Sequence, residues 1–140
     1  MLKRIKMIIN YWKWSCSILI KSSYLDIMTL DFERSIKWYQ DNLDCTVSVN
    51  NGIDFAMLEF SGNPMFIYKL EQINRNYLPN GEPFYDAGFI VDIDDLDKLH
   101  QKLKNNGNEV TDLEIEEEDG KPWAFYVNDP DGNRICFWRG

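Results

Sequence analysis

The stretch FYVNDPDGNRICFW, residues 125–138, reads as two strands joined by a tight turn. Its arms, Trp123 to Val127 and Arg134 to Trp138, carry the aromatic and branched residues that suit a pleated surface. Between them Pro130 fixes φ and Gly132 accepts a positive φ, while Asp131 and Asn133 are placed to bond local backbone.

Towards the N-terminus, Asp119 and Gly120 mark another turn, and Glu109 to Ile115 fits a further strand. Leu96, Leu99 and Leu103 share one face of a helix capped by Asp94 or Asp95, and Gly107 stands where a helix end favours a left-handed residue. Phe84 to Ile93 reads as the strand before that helix. The same order is found upstream. Tyr24 to Leu30 is β-prone; Phe32, Ile36, Tyr39 and Leu43 then recur at helical spacing, with Asp31 as N-cap and Glu33 in the first turn. Three strands fit Cys45 to Val49, Ile53 to Phe60 and Met65 to Leu70, separated by turn residues at 51–52 and 62–64. Two β-α-β-β-β units, about 24–70 and 84–138, are joined by a polar linker at 71–83. This order predicts an α+β fold built by internal duplication.

A chain of 140 residues, 44% hydrophobic and 14% aromatic, has room for one domain with a real core. The formal charge of −8, with no basic block in the body, argues against a nucleic-acid partner. The first 21 residues differ: Lys3, Arg4, Lys6, Lys13 and Lys21 stand there without a single acid. They read as a basic extension, with the domain at 22–140. No stretch approaches the roughly 20 apolar residues of a membrane span. Cys16, Cys45 and Cys136 form an odd set without CxxC spacing, so a cytoplasmic location is expected. His100 is the whole imidazole supply and is expected at a partly exposed helix edge.

The runs YLDIMTLDFERSIKWYQDNL (24–43), FIVDIDDLDKLHQKLKNNG (89–107) and FYVNDPDGNRICFW (125–138) resemble the three signature segments of the vicinal-oxygen-chelate superfamily. That superfamily includes glyoxalases, bleomycin-resistance proteins and extradiol dioxygenases. The resemblance implies two paired βαβββ modules whose strands curl into a U-shaped β-sheet trough, with the helices on its outer face. Alternation then turns Leu25, Ile27 and Thr29 to the first helix, and Phe89, Val91 and Ile93 to the second. Tyr24, Asp26, Met28, Gly88, Ile90 and Asp92 are left facing the trough.

Enzymes of the family hold a divalent metal with His, Gln or Glu from four strand positions, which fall here at Tyr24, near Tyr68, at Gly88 and at Cys136. Glycine has no donor, a phenol of pKa about 10 seldom ligates hard metals, and a lone thiolate prefers softer ones. Shifting the register by two offers Asp26, Asp86 and Asp92 but no histidine. Neither a metal nor a cofactor is therefore expected.

The trough walls carry the remaining chemistry. Tyr24, Asp26, Tyr68, Asp92, Tyr126, Cys136 and Trp138 are the expected ligand-binding residues, with Trp38 and Trp123 near the rim. Cys136 reads as a buried, inert thiol, and Arg134 is the only cation on its predicted face. This composition resembles the bleomycin-resistance branch, metal-free homodimers that bind a flat cationic drug between aromatic rings. The expectation is a homodimeric small-molecule binding or sequestering protein whose ligand is aromatic or cationic. Two alternatives stay open: the rings fill a closed trough, or the chain is a glyoxalase-like lyase or dioxygenase with a divalent metal or a metal-free variant site.

Overall fold

The computed structural model describes residues 24–82 and 84–140; the basic extension expected at 1–21 lies outside the described residues. Asp31 starts the first helix, its side chain accepting from the Arg34 N–H at 3.2 Å, and α1 runs Phe32–Leu43 with Phe32, Ile36 and Tyr39 buried. Around it lie β1 (Leu25–Thr29), β2 (Thr46–Asn50), β3 (Phe55–Phe60) and β4 (Asn63–Lys69). β1 pairs in parallel with β4, giving the sheet order β1-β4-β3-β2. The second half repeats the plan with β5 (Ala87–Val91), α2 (Ile93–Asn105), β6 (Glu114–Ile115), β7 (Pro122–Asn128) and β8 (Arg134–Arg139). Its order is β5-β8-β7-β6, again with first and last strands parallel. The chain is thus α+β, two βαβββ modules, each with a four-stranded sheet and one helix. No described helix is long and apolar enough to cross a membrane.

Alternation sorts the two faces as the sequence requires. Ile27 and Thr29 are buried while Asp26 and Met28 are exposed, and in the second sheet Ala87 is buried while Ile90 is exposed. On the helix side, Phe89, Phe137 and Phe125 stack in series at 5.5 and 5.1 Å, and α2 adds the fully buried Leu96 and Leu103. Each such side chain contributes about 1.5–3 kcal/mol through burial. Phe60 reaches Phe89 at 5.2 Å, so the two modules share one core. A polar seam adds to it: Asn42 Oδ1 accepts from the amides of Asn106 (3.1 Å) and Asn108 (2.8 Å), and the Trp38 indole donates to Asn108 at 2.8 Å.

Four local expectations are corrected. α2 begins at Ile93, so Asp92 and not Asp94 or Asp95 occupies the N-cap position, and the preceding strand is confined to 87–91. Residues 109–115 are mostly irregular. There the Thr111 hydroxyl accepts from the Tyr126 N–H at 2.9 Å, taking a ladder place that a backbone carbonyl would fill. His100 is buried, 3% exposed, because it falls on the same helical stripe as Leu96 and Leu103. Its Nε2 donates to the Thr111 carbonyl at 2.8 Å, and its ring edge meets Phe125. In the 129–133 turn, local backbone is bonded by Asp129, which accepts from the N–H groups of Asp131 (2.9 Å) and Asn133 (2.8 Å). Asp131 and Asn133 reach the first module instead. Burial raises the Asp129 carboxyl above the ordinary carboxylate range, although Asn133 and Tyr39 both donate to it.

Candidate functional site

The residues singled out in the sequence are distributed over three places. Tyr24, Asp26 and Tyr68 belong to the first sheet. There Tyr24, Phe66, Phe55 and Tyr68 form a chain of ring contacts at 5.0, 5.6 and 5.4 Å, and Tyr24 and Tyr68 stay 62% and 39% exposed. Register places Tyr68 opposite Met28 and Asp26 opposite Phe66, so the two tyrosines are not ladder partners. Tyr126, Cys136 and Trp138 belong to the second sheet. Asp92 stands exposed at the N-cap of α2 without a capping bond. Of the seven residues expected to bind a ligand, Tyr126 lines the cleft described below.

In the second sheet, register sets Gly88, Cys136 and Tyr126 on one rung across β5, β8 and β7. Trp138, one step further along the same face, folds over Gly88: a Cβ there would lie 2.6 Å from the indole ring carbons. Burial, reinforced by Glu114, pushes the Cys136 thiol up to about 12, and Arg134 offsets this only in part.

A cleft of about 480 Å³ opens beside this rung. Tyr126 stacks on Tyr85 at 5.1 Å with their planes 9° apart. The Arg134 guanidinium lies 4.9 Å from the Tyr85 centroid and 5.2 Å from that of Tyr126, close enough for cation–π attraction to both. Burial first, and then the hydrogen bond with Tyr85, raises the Tyr126 phenol well above its ordinary value, so it stays protonated. Arg75 enters from the linker. It pairs with Asp86 at 3.3 Å and donates to the Asp131 carbonyl and to Asn133 Oδ1. Among the described residues, no carboxylate lies within ion-pair distance of the Arg134 guanidinium.

Sequence reasoning missed Arg75 and Tyr85 and gave Arg134 no role. Arg134 was accessible to it, since alternation puts it two residues from Cys136 on the same face. Tyr85 was not. It precedes β5, so the parity that would turn it to the helix does not bind it. Arg75 sits in a segment without periodicity.

The four family metal positions do not fit a divalent cation here. Gly88 offers no donor and is covered by Trp138, Cys136 is a lone soft thiol, and Tyr24 and Tyr68 are phenols, which seldom ligate hard metals. Asp86, the nearest carboxylate on β5's approach, is held by Arg75 and by the Arg134 N–H at 2.8 Å. No three His, Cys, Asp or Glu side chains converge among the described residues.

The profile of the Glyoxalase/Bleomycin resistance protein/Dioxygenase superfamily matches residues 21–137. No curated protein matches the chain. Among solved structures, the chain is similar to the fosfomycin resistance protein FosX from Listeria monocytogenes, at 13% identity and a TM-score of 0.70 over 88% of this chain and 95% of that one. It is also similar to an integron cassette protein from the mobile metagenome of the Halifax Harbour sewage outfall, at 17% identity and a TM-score of 0.69 over 86% and 100%. A possible glyoxalase from Bacillus cereus follows at 21% identity and a TM-score of 0.64, over 86% and 99%. At these identities the likeness is one of fold.

Proposed function

Because the chain belongs to the Glyoxalase/Bleomycin resistance protein/Dioxygenase superfamily, we propose that it is a small-molecule binding or sequestering protein that works without the family metal. The observation that carries this reading is the cleft walled by the stacked Tyr85–Tyr126 pair, next to a rung where Trp138 stands over Gly88, one of the expected metal-ligand positions. A concave, partly aromatic surface with a few polar groups is the usual form of a small-molecule site. The metal-dependent form of the lyase or dioxygenase alternative finds no donor set among the described residues to support it. Of the two ligand types expected from the sequence, an aromatic one suits the tyrosine pair. A cationic one does not suit it, because Arg134 already lies against both rings and would repel it.

The test is binding of small aromatic compounds to the full chain, followed by NMR shifts of cleft residues, with and without chelator. Saturable shifts at Tyr85 and Tyr126, unchanged by chelator and lost in Tyr85→Leu, are expected. Binding that needs one divalent metal per chain would overturn the reading.

A further inference from the structure

We infer that the cleft receives an aromatic compound bearing an oxyanion, with the Arg134 guanidinium taking the anionic group beside the Tyr85–Tyr126 stack. This rests on the small-molecule reading above and names its ligand class. Two cations line the cleft, and they differ in what they already bond. Arg75 is spent on Asp86, the Asp131 carbonyl and Asn133, and so serves to fix the linker. Arg134 is partly buried, and its guanidinium lies against two aromatic rings and makes no hydrogen bond or ion pair among the described residues. A half-desolvated cation without a counter-ion is unfavourable on its own, and an incoming anion relieves it.

The guanidinium is a planar fork whose parallel N–H groups match two oxygens of a carboxylate, phosphate or phosphonate. Packing against two rings restricts its motion, so little freedom is lost when it binds. The neighbouring groups suit the same ligand. Tyr126 stays a neutral phenol, and the Asn74 and Asn128 amides and the Thr111 hydroxyl also line the cleft. Two acids in the same lining oppose an anion, Asp86 and Glu109: Asp86 is neutralised by its pair with Arg75 at 3.3 Å, and Glu109 is exposed, where solvent screens it. Met28 and Phe84, both partly or largely exposed in the same cleft, supply apolar surface for a ring.

The experiment titrates the full chain with phenylphosphonate, benzoate, benzylamine and benzyl alcohol, reading NMR shifts of cleft residues. At least one of the two anions is expected to bind tenfold or more tightly than benzylamine and benzyl alcohol, a preference that shrinks with added salt. The stronger anion tells whether a phosphoryl group or a carboxylate is the natural match. Arg134→Gln is expected to weaken the anions at least tenfold and to leave benzyl alcohol unchanged, while Arg134→Lys restores part of the loss. Should Arg134→Gln fail to fold, the charge series on the unmodified chain decides alone. Benzylamine binding tightest, or anion affinity unaltered in a folded Arg134→Gln, would overturn the inference and leave the small-molecule reading standing. Silence of the cleft towards all four probes overturns both.

Discussion

The side-chain amide of Asn133, in the β7–β8 turn, donates to the backbone carbonyl of Met28 at 2.8 Å, across 105 positions of chain. Beside it Asp131, its side chain 1% exposed, accepts from the Thr29 hydroxyl (2.5 Å), the Leu30 N–H (3.1 Å) and the Arg34 guanidinium (3.2 Å). A turn that looks self-contained in sequence is a clasp between the two modules.

Cutting the clasp has a measurable cost. Asn133→Ala takes the amide donor from the Met28 carbonyl and one of several donors from Asp129, and Asp131→Ala removes the acceptor of the Leu30 N–H and of Arg34. Each is expected to lower stability by about 1–3 kcal/mol, since an unsatisfied buried group loses its hydration without replacement. Urea denaturation measures this, and variants as stable as the parent would contradict it.

Gly88→Ala drives a methyl group to within 2.6 Å of the Trp138 ring, so the indole must leave its place. Loss of about 1–3 kcal/mol and a red-shifted tryptophan emission are expected. Trp138→Ala added to Gly88→Ala should cost less than the sum of the two single changes, because the clash is then gone. Strict additivity would show that the indole does not cover Gly88.

Burial holds Cys45 at about 11 and Cys136 at about 12, so both stay thiols at neutral and mildly alkaline pH. Iodoacetamide at pH 8 should leave these two unmodified in the native protein and label them on denaturation, as mass spectrometry can read. Both values are raised above those of an unfolded chain, near 9. The folded state therefore binds these protons more strongly. Their contribution is intact below pH 9 and is lost as pH climbs towards 11 and 12. Cys136→Ala should flatten that alkaline decline.

Much of the architecture was legible because local and global preferences agree. Asp31 caps α1 as its side chain allows, and alternation along β1 sorted Ile27 from Asp26 without a contact map. The pairing of Gly88 with Cys136 also agrees with the ligand positions that the family resemblance implied. What was not legible depends on distance in sequence. Nothing near Asp131 announces that its partners are Thr29 and Leu30, and nothing near Arg75 announces Asp86. His100 was misplaced because a polar residue on an apolar stripe looks like an edge until Thr111 supplies its acceptor.

A homodimer remains our expectation. The Tyr24–Phe66–Phe55–Tyr68 wall is open on one face of the first sheet, and aromatic surface of that kind favours a partner. Light scattering of the full chain at micromolar concentration should give twice the 16.6 kDa chain mass. A monomer at that concentration would refute it.

Time enters through the strand order. In each module the first strand pairs with the last, so β1 waits for β4 and β5 waits for β8. The 129–133 turn takes its proper shape only between two formed strands, and it then has to find β1 in a module already closed. Its bonds to Thr29, Leu30 and Met28 are therefore expected to form on the native side of the folding barrier. Substitutions at Asp131 or Asn133 should quicken unfolding and leave refolding rates almost untouched. These few hydrogen bonds would then set how long the native molecule persists, with little say in how quickly it is made.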